Sequence, residues 1–350
     1  MAYISFQPSD FFSTVLWTGD GTAIGSGGQT ITGVGFQPDM VWLKARNDTH
    51  WHNVYDAPRG ATYRIFPNDS NAQSGPDSES LTSFNSDGFV VGSDNNVNDN
   101  GDLYVGWNWK AGTTTGIAGS PSITPTSYSF NQAQGFSIIK YTGNATSGAT
   151  LPHGLGVAPK MIIVKNLDDG HEWGVYHEIM GATKYLYLDT TAIAGTSSTR
   201  WNDTAPDATL FTIGNASTVN TSGKEYIAYC FADVKGYQKM GGYDGNSNAD
   251  GPFLYCGFRP AFVLIKIWNS GDPKNWAIMD NKRLGYNEDN NSLYINTAAE
   301  ATSDTIDILS NGFKLRRVDD TLNRINLKYI WYAVAEFPIV SSNNIPGVSR

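Results

Sequence analysis

The chain has 350 residues with 24 Lys+Arg against 33 Asp+Glu, a formal net charge of −9, only 16% charged residues and 13% aromatics. Globular chains usually carry about a quarter charged residues, so charge has been replaced here by Gly, Ser, Thr and Asn while the rings are kept. This excludes intrinsic disorder, long solvated helices and a phosphate-binding basic surface, and leaves an all-β reading with no nucleic-acid partner.

In chain order, residues 1–10 read as a short leader without the positive start and apolar core of a signal peptide, so no export by the general route is expected. No stretch approaches the roughly 18–20 apolar residues of a membrane span, and no membrane insertion is expected. Then comes Trp17-Thr-Gly-Asp-Gly21, an aromatic before a tight turn, followed by Gly35-Phe-Gln-Pro-Asp-Met-Val-Trp-Leu-Lys44. The apolar run before Lys44 is short and bounded by Pro and polar residues, as a strand buried on both faces should be. Trp51-His-Asn-Val-Tyr-Asp56, Asp87-Gly-Phe89 and the aromatic strand Tyr104-Val-Gly-Trp-Asn-Trp109 complete a unit.

The same blocks return twice in the same order. Gly156-Val-Ala-Pro-Lys-Met-Ile-Ile-Val-Lys165 and Gly257-Phe-Arg-Pro-Ala-Phe-Val-Leu-Ile-Lys266 repeat the Pro-to-Lys strand. Tyr141-Thr-Gly-Asn144 and Tyr243-Asp-Gly-Asn246 precede them; Trp173-Gly-Val-Tyr-His177 and Trp276-Ala-Ile-Met-Asp280 follow. Tyr226-Ile-Ala-Tyr-Cys-Phe231 and Tyr329-Ile-Trp-Tyr-Ala-Val334 close them. Self-similarity at a period of about 100 residues suits a whole β-sandwich rather than a solenoid turn. The expected organisation is three tandem, mutually related, jelly-roll-like antiparallel β-sandwich domains: 11–112, 133–236 and 237–338, with a Gly/Ser/Thr/Pro linker at 113–132 and a C-terminal tail at 339–350.

Candidate chemistry is sparse. There is no Gly-x-Ser-x-Gly elbow, phosphate loop or His-Glu-x-x-His, and His171 and His177 are too widely spaced for one metal on adjacent helical turns. His50 and His52 alternate and lack a local third ligand. Asp94, Asn96, Asn98 and Asp102, and again Asp244, Asn246, Asn248 and Asp250, alternate oxygen ligands as calcium loops do, but both lack the closing Glu. Asx turns account for them without metal; calcium is the one cofactor they would take. Lys44, Lys165 and Lys266 are expected as strand-end cations paired with Asp56, Glu178 and Asp280. Cys230 and Cys256 sit in apolar runs and read as buried free thiols. Tryptophans repeated in register, Trp51, Trp107, Trp173, Trp276 and Trp331, read as core. The non-repeated Trp201, Trp268, Tyr63 and Tyr286 are the candidate ligand contacts.

Gly135-Phe-Ser-Ile-Ile-Lys-Tyr-Thr-Gly143, His153-Gly-Leu-Gly-Val-Ala-Pro-Lys-Met-Ile-Ile-Val-Lys165, Trp201-Asn-Asp-Thr-Ala-Pro206, Gly251-Pro-Phe-Leu-Tyr-Cys-Gly-Phe-Arg-Pro260 and Ser310-Asn-Gly-Phe-Lys314 resemble an uncharacterised repeat-domain family of tailed bacteriophages, common in marine and environmental phages. The resemblance spans nearly the whole chain beyond residue 11. It implies a non-enzymatic virion structural protein, tail fibre-like, made in the host cytoplasm, contacting other virion proteins and a host surface glycan or protein, and homo-oligomeric. A capsid decoration protein is the alternative, a surface-glycan-degrading enzyme the second. The resemblance carries no catalytic residues. It reads residues 1–10 as a docking segment, and copy one departs most, with Trp17 in place of Tyr and the long loop at 94–102 as a specialised contact surface.

Overall fold

The computed structural model describes residues 6–269, 273–283, 291–295, 300–301 and 306–338. It is 41% strand and 5% helix, with every named strand pairing antiparallel. The apolar run before each repeated lysine forms a central strand: Met40–Ala45, Met161–Asn166 and Phe258–Ile267. Each is flanked by the aromatic closing strand, Leu103–Trp109, Glu225–Phe231 or Lys328–Pro338, and by the strand that follows it, Asn53–Asp56, Gly174–His177 or Ala277–Asp280. The registers coincide. Met40 lies opposite Trp109 and Asp56, Met161 opposite Phe231 and His177, and Phe262 opposite Val334 and Asp280. On the other flank of the closing strands lie Phe12–Thr18, Phe136–Thr142 and Gln238–Asp244. There the turn aromatics stack on the closing tyrosines: Trp17 on Tyr104, Tyr141 on Tyr226 and Tyr243 on Tyr329, with centroids 5.3, 5.2 and 4.8 Å apart.

A smaller sheet covers one face of each main sheet. It holds Gln29–Ile31, Gly88–Val91 and Leu81–Asn85 in copy one, Ala149–Pro152 and Leu210–Ile213 in copy two, and Phe253–Tyr255, Gly312–Leu315 and Ile306–Leu309 in copy three. Successive strand side chains point to opposite faces, so alternate residues of the central strands serve different cores. Val41 and Leu43 join Phe89 and Val91; Ile162 and Val164 join Phe211 and Ile213; Val263 and Ile265 join Phe313 and Leu315. The intervening residues, Met40 and Trp42, Met161 and Ile163, Phe262 and Leu264, meet one another in a single cluster with Trp107, Trp109, Tyr229, Phe231 and Tyr332. The three sandwich-like copies therefore share a fourth core, which explains why their central strands are buried on both faces.

Polar contacts close the arrangement into a ring. Copy one reaches copy three through Trp107 Nε1–H to Asp280 Oδ2 (3.1 Å) and Trp109 Nε1–H to the Tyr332 hydroxyl (3.2 Å). Copy two reaches copy one through the Tyr229 hydroxyl to Asp56 Oδ2 (2.6 Å) and Trp173 Nε1–H to the Phe66 carbonyl (3.0 Å). Copy three reaches copy two through Trp276 Nε1–H to the Tyr187 carbonyl (2.9 Å).

The repeated lysines do not form the expected ion pairs with Asp56, Glu178 and Asp280. All three are fully buried, and Lys165 and Lys266 donate to the Ser70 and Thr191 carbonyls of the preceding copy at 3.0 and 2.8 Å. Asp56 and Asp280 instead bind Arg59 and Arg283, each at 2.6 Å, and Glu178 takes Lys160. The segment 113–132 is packed rather than a free linker: it carries the strand Ser127–Asn131 and buries Ile123 in the core of copy two. Within the leader, Phe6 packs edge-on against Phe11 and Tyr237 at 5.2 and 5.3 Å and Pro8 is buried, so residues 6–10 belong to the body of the fold. Residues 1–5 and 339–350 lie outside the described residues.

Candidate functional site

Trp201, expected as a ligand contact, is 1% exposed and packs edge-on against Tyr176 inside the core of copy two. It is the last residue of the four-residue helix Ser198–Trp201, so its non-repetition reflects a local helix rather than a surface role. Trp268 is partly buried against the shared core and borders a shallow cleft of ≈ 510 Å³ with Ile179, Tyr243, Asp244 and Lys328. Tyr63 is half-buried and its carbonyl accepts from Arg59 Nη1 at 3.2 Å. Tyr286 lies outside the described residues. Cys230 and Cys256 are buried and free, as expected, and burial pushes the Cys230 thiol up to about 12.

Asn98 of the first Asx-rich loop and Asn246 of the second belong to a turn clamp built three times. Asn98 Oδ1 accepts from Asp20 N at 2.9 Å, Asn220 Oδ1 from Asn144 N at 2.7 Å and Asn323 Oδ1 from Asn246 N at 2.9 Å. Each amide donates back to the same partner, at 3.1, 3.2 and 3.0 Å. Asp94 caps the short helix Asn95–Asn98, accepts from Asn96 N, and pairs with Arg64 at 2.9 Å. In the second loop Asp244 pairs with Lys328, Asn248 accepts from Asp250 N, and Asp250 pairs with Lys314 and Arg316. Apart from Asp102, whose Oδ2 faces His50, the candidate oxygens are engaged by backbone turns, side chains and cations of the chain itself.

The residue that emerges instead is Trp51. Eight residues separate Lys44 from His52 and Lys165 from Trp173, and the registers of Leu43 with Asn53 and Val164 with Gly174 make His52 the counterpart of the seam tryptophans Trp173 and Trp276. His52 is fully buried, accepts from Trp42 Nε1 at 3.1 Å and reaches the Tyr294 carbonyl of copy three at 3.2 Å. Trp51, one residue earlier, points outward at 38% exposure, against the expectation that it is core. The counterparts of Trp51 are Glu172 and Asn275, so copy one alone carries a ring there.

The sequence holds Trp51 in place from several sides. Its N–H donates to Asn96 Oδ1 (3.0 Å), its carbonyl accepts from Asn53 Nδ2 (2.8 Å), and its ring meets Phe66 edge-on at 5.1 Å. Arg64 lies over the Phe66 ring, 5.5 Å from its centroid, with its guanidinium held by Asp77 at 3.1 Å and Asp94 at 2.9 Å. Thr49, His50, Trp51, Arg64, Phe66 and Asn96 line a cleft of ≈ 350 Å³. Beside it His50 Nε2 stands 3.2 Å from Asp102 Oδ2 and 3.8 Å from Asp99 Oδ2. One ligand atom each from Asp48, His50 and Asp102 lies within 4.8 Å of the others. Thr49's backbone N–H, then its hydroxyl, hold the exposed Asp48 carboxyl below the usual carboxylate range.

Layered antiparallel sheets with an aromatic surface cleft define an all-β, β-sandwich-like protein. The chain belongs to a family described as a domain of unknown function (DUF7483), which matches residues 7–338 and thus runs across all three copies. No curated protein and no solved structure matches it.

Proposed function

We propose that the chain is a structural and binding component of a bacteriophage virion, a tail fibre-like appendage that contributes to host-surface attachment. The observation that carries the proposal is the contrast between the copies. Three related sandwich-like units, read here as jelly-roll-like, bury against one another in one core, while one of them displays a fixed tryptophan beside a polar cleft. Three units closed on a common core make a rigid body suited to persisting outside a cell, and one specialised face gives that body something to hold. The phage assignment itself rests on the motif resemblance around Gly135–Gly143 and His153–Lys165.

The test is localisation followed by attachment. Gold-labelled antibody against the chain should decorate tail appendages of virions that encode it, and purified chain should bind host cells and lose that binding with Trp51→Ala. Label restricted to the capsid lattice would replace the tail reading with a decoration role, and absence from purified virions would refute both.

A further inference from the structure

We propose that the cleft formed by Trp51, Phe66, Arg64, Asn96 and His50 is a saccharide subsite for an uncharged sugar ring, an assignment that deepens the host-surface reading above. Of the ten tryptophans, Trp51 is the most exposed, the other nine being buried or, for Trp268, partly buried. The indole N–H groups of Trp17, Trp42, Trp107, Trp109, Trp173 and Trp276 are spent on acceptors within the fold, and those of Trp201, Trp268 and Trp331 are buried. Trp51 therefore offers both a ring face and a donor to a ligand, the amphipathic combination that suits a sugar's C–H face and hydroxyl rim.

The ring is ordered before any ligand arrives, because Asn96 and Asn53 fix its backbone and Phe66 packs against it at about a right angle. A prefixed ring avoids the entropy cost of immobilising a side chain on binding. The cleft volume of ≈ 350 Å³ falls at the small end of the range of small-molecule sites, about 300–1,000 Å³. Charge then selects the ligand. Arg64, the cation lining the cleft, is already held by Asp77 and Asp94, while Asp48, Asp99 and Asp102 surround His50. Carboxylates accept hydrogen bonds from sugar hydroxyls but repel a sugar carboxylate or phosphate.

The experiment uses full-length chain labelled with ¹⁵N-tryptophan, whose ten indole N–H signals report separately; Trp51→Phe assigns the Trp51 signal by its disappearance. The probes are neutral gluco-, galacto- and manno-trisaccharides, a sialic-acid-capped trisaccharide and a tetralysine peptide. At least one neutral trisaccharide should move the Trp51 signal saturably, at least tenfold more tightly than the sialylated one. Trp51→Ala should abolish this binding while leaving the other indole signals in place. A silent Trp51 signal across the neutral panel, tighter binding of the sialylated sugar, or a response to tetralysine alone would overturn the assignment. If host cells still bind the wild-type chain in a Trp51-dependent way while the neutral panel fails, the attachment function stands and only the ligand class falls. If neither binds, both fall.

Discussion

Acid should loosen this protein through histidines that the fold holds neutral. In each of His52, His153 and His177, Nδ1 accepts an N–H, from Trp42 Nε1, Leu155 N and Ile179 N, while Nε2 faces a carbonyl, of Tyr294, Asp207 and Trp331. That arrangement admits only the neutral Nε2–H tautomer, since a proton on Nδ1 would confront an N–H. Burial accordingly pushes His153 and His177 down to about 4 and His52 well below its ordinary value of 6.5. The folded state thus binds fewer protons than the unfolded one between pH 6.5 and 4; its stability is full above pH 6.5 and falls as pH drops through that window. Going from pH 7 to pH 5, a shift from 6.5 to 4 costs about 2 kcal/mol per histidine, so about 4 kcal/mol for His153 and His177. Asp189 works the other way: burial raises it to about 6, and it returns about 1 kcal/mol over the same interval. The net loss is about 3 kcal/mol before His52 is counted, a sizeable part of a typical stability of about 5–15 kcal/mol. Guanidinium unfolding at pH 7 and pH 5 measures it, and His153→Gln and His177→Gln should each remove about 2 kcal/mol of the pH dependence. Equal stability at the two pH values, or an undiminished slope in both variants, would sink the reasoning.

Trp276 is 1% exposed in the shared core, so Trp276→Ala should cost about 3–5 kcal/mol, and calorimetry should show one transition moving down rather than a third module melting separately. Asp280→Ala removes the buried carboxylate that Arg283 and Trp107 bind and should cost about 3–5 kcal/mol. Copy two carries His177 and Met180 where copy three has Asp280 and Arg283, so the double variant Asp280→His/Arg283→Met should recover much of that loss. Strictly additive single-variant costs in chemical denaturation would refute this coupling.

The strands were legible because their signals are local. The Pro-to-Lys runs mark Met40–Ala45, Met161–Asn166 and the end of Phe258–Ile267, and the closing aromatics mark their neighbours. What the runs do not encode is who covers the second face. A strand apolar on both sides reads the same whether its far face meets its own small sheet or a sibling copy, so the fourth core was invisible. The lysines misled for the same reason: a strand-end cation was expected to seek a carboxylate, but at a buried seam backbone carbonyls were nearer. Trp51 invites the core assignment because each copy has a tryptophan just before this strand, although Trp51 lies five residues before its strand end where Trp173 and Trp276 lie four. Only the pairing of Leu43 with Asn53 shows that His52 holds the equivalent place. Trp201 was misread by the complementary error, in which absence from the other copies was taken for exposure.

The ring of seams around the shared core amounts to a trimer written on one polypeptide. Separate subunits would make stability depend on protomer concentration, so that dilution would dissociate them; here the neighbours are covalently supplied and dilution has no such effect. Fusion also releases the subunits from sequence identity. A homotrimer carrying the Trp51 cleft would display it three times and would repeat the Asp–Arg pair at every seam. This chain keeps that pair at Asp56–Arg59 and Asp280–Arg283, replaces it with His177 and Met180 in copy two, and reserves the exposed tryptophan for copy one.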